Sequence, residues 1–95
     1  MNQLLGKWKL CEASPDFGLD AGAMATFKDG GELLYTIPES GRLSVIRLTY
    51  RIVGNQLITN QPSAPREEVT SFEIVGDHLH LTYERSLAVF ERCSR

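Results

Sequence analysis

Residues 49–59 read TYRIVGNQLIT, and this stretch decides the fold because it holds two strands joined by a tight turn. Gly54-Asn55 is a dipeptide that favours a two-residue β-hairpin, since both residues tolerate a positive φ. Apolar side chains recur with period two on both sides of the turn, as in strands with one buried face. The turn places Ile52 opposite Leu57, so the apolar side chains of both strands share one face.

The same period continues along the chain in both directions, interrupted by short turns rich in Gly, Asn and Asp. It predicts eight strands, at about residues 6–12, 22–28, 32–37, 42–53, 56–61, 67–75, 78–84 and 87–93. No segment combines the apolar period of a helix with capping residues, and the best candidate for a helical turn lies within 13–21. The sequence therefore predicts an all-β protein.

The predicted turns give the meander two different ends. Three tight turns meet at one end, which we call the closed end, at residues 28–32, 53–56 and 75–78. Longer connections meet at the other end, which we call the open end, at residues 13–21, 38–41 and 62–66. The last turn, Glu84–Leu87, is a short turn at the open end.

The predicted pairing across each turn tests whether the same set of apolar side chains faces inward on every strand. At the open end we predict that Tyr35 faces Ser44 and that Leu81 faces Phe90. One inward apolar set satisfies every turn, and closing the strands into a ring removes their exposed edges. The prediction is a small eight-stranded antiparallel up-and-down β-barrel, with residues 1–95 as one domain. A flattened two-sheet sandwich is the nearest alternative.

Composition excludes several functional classes. The 95 residues suffice for one small domain, and a net charge of −2 with a pI near 5.6 argues against a nucleic-acid binder. No apolar run approaches the ~20 residues of a membrane span, and residues 1–8 lack the apolar stretch of a secretory signal. The chain has two Cys, too few for a disulfide scaffold, so we expect a cytoplasmic protein.

Short motifs at both ends of the chain point to a known family. Gly6-Lys7-Trp8 opens the first strand, and Phe90-Glu91-Arg92 closes the last one. They resemble the Gly-x-Trp and the Arg that pack together at the closed end of lipocalin-like, calycin-type barrels. Small bacterial lipocalin-like domains are also similar to this chain at residues 26–30, 49–57 and 74–79, and the resemblance covers nearly the whole chain.

The resemblance implies a barrel that carries a small ligand and a structural role for Gly6, Trp8 and Arg92. Alternation alone places Trp8 and Arg92 inward at the closed end. A guanidinium over an indole face contributes roughly 0.5–2 kcal/mol, and its remaining N–H groups can donate to carbonyls of the turns. The alternative, that Arg92 binds an anionic ligand, needs a pocket at the crowded end of the barrel.

The open end is the predicted ligand site. Inward residues there become smaller or polar, and a cavity with apolar walls and a few polar groups is the usual form of such a site. The predicted ligand-binding residues are Tyr35, Arg42, Ser44, Thr59 and Tyr83. We expect no cofactor.

A filled barrel is the competing interpretation, because eight strands leave room for side chains or for one small ligand. Bulky inward residues in the middle of the barrel favour it, namely Leu10, Ile46, Leu48 and Tyr50. The segment 14–18 is then a plug, with Phe17 over the core. It is a lid if the ligand cavity exists.

The outer face carries two histidines, His78 and His80. The predicted pairing places Glu73 and Glu91 beside His80, and it places Cys93 beside His78. These side chains could form a Zn²⁺ or Ni²⁺ ligand set. Because Lys9 is predicted to face Glu91, ordinary cross-strand charge pairing on a solvated face explains these residues better, so we expect no metal site.

The predicted register separates the two cysteines. Cys11 should face Val89, four positions from Cys93, or ~13 Å at ~3.3 Å per residue. A disulfide needs Cα atoms within about 7 Å, so we expect two free thiols.

The outer face is mostly polar, but one part of it is predicted to be apolar. Four residues on strands two to four are predicted to be adjacent and form what we call the outer patch: Met24, Leu34, Leu43 and Val45. Patches of this kind usually mark a partner surface, so a homodimer or a protein partner is expected here.

No catalytic constellation is recognised. The sequence has no Gly-rich phosphate loop and no nucleophile elbow. Glu12 and Glu68 could meet at the open end as an acid–base pair, but we expect two solvated rim carboxylates and no enzyme activity. The predicted function is non-catalytic binding of a small apolar or amphipathic molecule. The alternative is a solid barrel that acts through the outer patch, which the short strands favour.

Overall fold

A computed structural model describes residues 3–15, 22–63 and 65–93 as an antiparallel barrel. The eight strands are β1 (Gly6–Ala13), β2 (Met24–Lys28), β3 (Glu32–Glu39), β4 (Arg42–Val53), β5 (Gln56–Asn60), β6 (Glu67–Val75), β7 (His78–Tyr83) and β8 (Ser86–Arg92). Each strand pairs with its neighbours in sequence, and β1 also pairs with β8, so the sheet closes. The predicted barrel is confirmed. No helix among the described residues has the length and apolarity needed to cross a membrane.

The tight turns at the closed end set the register that the sequence predicts. Ile52 pairs with Leu57 across Gly54-Asn55, and Ile74 pairs with Leu79 across the turn at 76–77. Gly54 has a φ of +62°, a conformation that the two-residue turn requires.

Two hairpins at the open end differ from the prediction by two residues. Tyr35 pairs with Ile46 and not with Ser44, while Leu81 pairs with Ala88 and not with Phe90. The turn between β3 and β4 has two residues, 40–41, so β3 extends two residues further than predicted, and the turn between β7 and β8 lies one residue earlier than predicted, at 84–85. A slip of two residues keeps every side chain on its predicted face.

A bulge in β1 overturns another part of the predicted register. Leu10 pairs with Phe90, but the next pair joins Glu12 to Val89, which leaves Cys11 as the extra residue. The predicted pairing of Cys11 with Val89 is therefore wrong. Beyond the bulge Glu12 points outward, because an inserted residue reverses the side-chain alternation.

The buried core fills the closed end and the middle of the barrel. Its largest side chains without solvent contact are Leu4, Trp8, Phe27, Leu33, Leu57, Leu79, Leu81 and Phe90. The Phe27 and Tyr50 rings pack edge to face with centroids 5.2 Å apart. Ile52, predicted to lie inside, is 36% exposed.

Trp8 and Arg92 join the two chain ends at the closed end. The Arg92 guanidinium lies 4.1 Å from the centre of the Trp8 ring, and the two residues pair across β1 and β8. Arg92 also donates to the carbonyl oxygens of Leu5 at 3.1 Å and Gln3 at 2.9 Å. Trp8 Nε1 donates to the carbonyl oxygen of Leu4 at 2.9 Å, so residues 3–5 are bound across this end.

β4 is much longer than β5, and this asymmetry leaves an opening in the wall. Thr49–Asn60 is the pair of β4 and β5 nearest the open end, so the segment of β4 from 42 to 48 pairs with β3 alone among the described strands. We call this segment the β4 overhang.

Candidate functional site

A cavity of about 300 Å³ lies inside the open end of the barrel. It is lined by Tyr35, Ile46, Leu48, Leu57, Thr59, Gln61, Glu68, Thr70, Leu81 and Tyr83. These residues come from five strands and the segment after β5, and all point toward the barrel axis. Side chains therefore do not fill the interior of the barrel all the way to the rim of the open end.

Small polar side chains create the space. Thr59 pairs with Glu68 on neighbouring strands, and Thr70 pairs with Leu57 one step deeper. Thr59 and Thr70 are buried but too short to reach the opposite wall, whereas the fully buried Leu57 and Leu81 form an apolar floor. The cavity thus has an apolar base and polar groups near its mouth.

Glu68 is the electrostatic centre of the cavity. The Tyr83 hydroxyl donates to Glu68 Oε2 at 3.5 Å, and Arg66 Nε lies 3.8 Å from the same oxygen. The Arg66 side chain is 77% exposed, so solvent weakens this ion pair.

Tyr35 faces this carboxylate from the other side of the cavity. Desolvation by burial and, to a lesser degree, the negative charge of Glu68 raise the pKa of Tyr35 to about 12. Both effects disfavour the phenolate, so the hydroxyl stays protonated at any physiological pH.

Three of the five predicted ligand-binding residues line the cavity: Tyr35, Thr59 and Tyr83. Ser44 does not line it, because the two-residue slip places Ser44 opposite Ile37, nearer the rim than predicted. Arg42 does not line it either, since it is exposed beside the turn at 40–41.

Sequence reasoning assigned other cavity residues differently. Ile46 and Leu48 were expected to fill the interior, yet they form a wall of the cavity. Gln61 lies beyond the last residue of β5, but it follows Leu57 and Thr59 at the same spacing of two. That alternation was the available signal for its inward position.

The predicted lid or plug is described only at its start. Ser14 extends the contact between β1 and β8, because its N–H donates to the Leu87 carbonyl oxygen at 2.8 Å and its Oγ accepts from the Leu87 N–H at 3.0 Å. Phe17 lies outside the described residues, as does most of the predicted helical turn.

A second, open cleft of about 480 Å³ runs beside the β4 overhang. It is lined by Gly30, Gly31, Glu32, Val45, Ile46, Arg47, Leu48, Thr49, Gln61, Pro62 and Ser63. Ile46, Leu48 and Gln61 also line the cavity, so the cleft and the cavity adjoin at these three residues.

The structure separates the side chains that were candidates for a metal site. His80 pairs with Glu73, as predicted, but its neighbour on β8 is Val89 and not Glu91. Glu91 pairs with His78, the position predicted for Cys93, because of the slip in the last hairpin. Among the described residues, no three His, Cys, Asp or Glu side chains are grouped to hold a metal ion.

The cysteines and the rim carboxylates are likewise apart. Cys11 and Cys93 are free thiols. Desolvation, with the charges of Glu91 and Glu12 adding to it, raises the pKa of the Cys11 thiol. Glu12 and Glu68, considered above as a possible acid–base pair, do not meet, since the bulge turns Glu12 to the outer face.

The outer patch is arranged differently from the prediction. Met24, Thr36 and Val45 form one row across three strands. Leu34 pairs with Arg47 and not with Val45, and Leu43 pairs with Pro38. The most exposed members lie on the β4 overhang, where Leu43 is 68% and Val45 55% exposed.

The solved structures that match this chain include two that cover nearly its whole length. A lipocalin-like protein from Bacteroides uniformis has 17% sequence identity and a TM-score of 0.77, over 97% of this chain and 100% of that chain. An uncharacterized protein from Bacteroides eggerthii has 16% identity and a TM-score of 0.75, over 96% of this chain and 100% of that chain. The sequence matches no protein-family model and no curated protein. The fold of this chain is that of a small bacterial lipocalin-like domain.

Proposed function

We propose that this protein is a non-catalytic binding module that holds one small apolar or amphipathic molecule in the cavity at its open end. The cavity carries the proposal, because it has an apolar floor and a few polar groups near its mouth. Ligand sites generally share this design.

The size of the cavity limits the ligand. Its volume of about 300 Å³ is at the lower end of ligand pockets, which range from roughly 300 to 1,000 Å³. It is about twice the ~150 Å³ of an engineered cavity that holds benzene. The expected ligand is therefore a single ring with a short chain, or an aliphatic chain of similar volume.

Thermal unfolding with 3-phenylpropan-1-ol tests the proposal. We expect the melting temperature to rise with alcohol concentration, because a ligand that binds only the folded state stabilises it. Thr59→Leu extends a side chain into the cavity and should remove the rise. Thr82→Leu makes the same change at an exposed position on β7 and should preserve it. A rise that is equal in both variants, or no rise in the wild type, would contradict binding in the cavity.

A second candidate function is self-association through the β4 overhang. The Tyr50 N–H donates to the Gly31 carbonyl oxygen, so even-numbered residues of β4 turn their backbone groups toward β3. The backbone groups of Leu43, Val45 and Arg47 then point to the side where no described strand pairs. Two overhangs can pair antiparallel around a two-fold axis at Val45, which would place the exposed Val45 side chains of the two copies side by side.

Sedimentation velocity tests this second function. We expect a dimer whose population grows with concentration and which Val45→Lys disrupts. Val75→Lys is the matched control, since Val75 is a similarly exposed valine at the closed end. A monomer at all accessible concentrations would contradict self-association and leave ligand binding unaffected.

A further inference from the structure

The charge inside the cavity indicates which amphipathic molecules it selects. Among the described residues that line the cavity, Glu68 alone carries a formal charge. The other polar groups are hydroxyls and one amide, and the remaining lining is aliphatic. An anionic headgroup would therefore meet a negative charge without a lining cation to offset it.

The two contacts of Glu68 leave it able to accept further hydrogen bonds. The Tyr83 hydroxyl is at the 3.5 Å limit of a hydrogen bond, and Arg66 approaches at 3.8 Å from a largely exposed position. A carboxylate has about four acceptor sites, and both contacts use the same oxygen, Oε2. The side chain of Glu68 is 42% exposed, so a ligand can reach it at the mouth.

Two aromatic rings accompany this carboxylate. Tyr35 on β3 and Tyr83 on β7 both line the cavity with Glu68. Aromatic faces attract organic cations, by about 0.5–1 kcal/mol at exposed sites and more when water is excluded. Desolvation by burial is the larger cause of the raised pKa of Tyr35, and the negative charge of Glu68 adds to it.

We propose that the cavity selects small organic cations. The protonated or quaternary amine of the bound ligand lies against Glu68, between Tyr35 and Tyr83. An apolar tail of the ligand packs on Leu57 and Leu81 below. This selectivity rests on the proposed binding function and adds the sign of the headgroup charge and its position in the barrel.

Three probes with the same phenylpropyl tail test the selectivity: 3-phenylpropylammonium, 3-phenylpropan-1-ol and 3-phenylpropanoate. We expect calorimetric or NMR titration at neutral pH to show the cation binding about tenfold more tightly than the alcohol. A tenfold difference corresponds to about 1.4 kcal/mol. The anion should bind more weakly than the alcohol.

Glu68→Gln identifies the group responsible. The variant keeps the size of the side chain and removes its charge, so the ratio of cation affinity to alcohol affinity should fall to about onefold. Glu67→Gln is the matched control, because Glu67 lies one residue away on the outer face and pairs with Arg51 at 3.3 Å. It should retain the tenfold preference.

The outcomes separate the two proposals. If the alcohol binds but the cation binds no more tightly, or if the anion binds best, cation selectivity is overturned and the binding function stands. A cation preference that survives in Glu68→Gln also overturns it. If none of the three probes binds the wild type, the binding function fails and the selectivity fails with it.

Discussion

The closed end and the open end are built from the same eight strands, yet one is solid and the other holds a cavity. At the closed end Trp8, Phe27 and Phe90 are fully buried and Arg92 bonds the first residues across the base. At the open end Thr59 and Thr70 occupy inward positions and cannot reach across the barrel. The size of the inward side chains, and not the backbone, decides where a small barrel is hollow.

The largest expected effect is at the closed end. Trp8→Ala removes a fully buried ring and the surface under the Arg92 guanidinium, so we expect a loss of about 3–5 kcal/mol in the free energy of unfolding. Urea denaturation followed by circular dichroism measures it. Trp8→Phe keeps an aromatic face and should lose clearly less. A loss below about 1 kcal/mol in Trp8→Ala would mean that this end is not the solid half of the barrel.

Leu33 and Leu48 permit a direct comparison of the two regions, because they pair across β3 and β4. Leu33 is fully buried, whereas Leu48 is partly exposed and lines the cavity. We expect Leu33→Ala to cost about 3 kcal/mol and Leu48→Ala about 1 kcal/mol, since truncation beside an existing cavity removes fewer contacts. Equal losses in urea denaturation would show that the cavity wall is packed as tightly as the core.

Gly6 gives a smaller effect that depends on the backbone. Its φ of +117° lies outside the left-handed range near +60° that other residues adopt, while the φ of Gly54 is +62°. A methyl group fits at both positions, with Arg92 Nη1 3.5 Å away at Gly6 and open space at Gly54. We expect thermal unfolding to show a loss of about 2 kcal/mol for Gly6→Ala and about 1 kcal/mol for Gly54→Ala. The reverse order would exclude backbone strain as the cause.

The last expected effect is a pH dependence at the open end, which appears only above pH 10 and is absent under the neutral conditions of the other measurements. The pKa of Tyr35 is about 12 in the folded protein and about 10 when unfolded. Its contribution to stability is therefore complete below pH 10 and is lost as the pH rises from 10 to 12. Tyr35→Phe should show a shallower decline in this window, measured as the difference from wild type. Glu68→Gln should lower the pKa of Tyr35 in an absorbance titration at alkaline pH. An unchanged Tyr35 titration would mean that Glu68 does not act on it.

Most of the fold was predictable because alternation survives small errors. The slips at 40–41 and 84–85 moved pairs by two residues, so no side chain changed face. The bulge at Cys11 was not predictable, since one inserted residue in β1 leaves no mark in the polar pattern of Lys9 to Glu12. It reversed the assignment of Glu12 and removed a candidate acid pair.

The cavity was predictable as a location and less so as a set of residues. Tyr35, Thr59 and Tyr83 follow from alternation and distance from the closed end. Ser44 was wrongly included because the prediction depended on the position of one turn, which the sequence ESGR at 39–42 does not fix by itself. Whether Ile46 and Leu48 fill the centre of the barrel or line a cavity depends on the width of the barrel, which no local sequence pattern encodes.

The hydrogen bonds from Arg92 to Gln3 and Leu5 have a practical consequence for fusing the protein to a tag or immobilising it on a surface. They hold Gln3 beside Arg92, and the Cys93 N–H donates to the Lys7 carbonyl oxygen at 2.9 Å, so residues 3 and 93 both lie at the closed end, opposite the cavity. We therefore expect that a purification tag or a fluorescent protein fused at either end does not weaken ligand binding. Immobilised on a sensor surface by either end, the barrel presents its cavity to the solution.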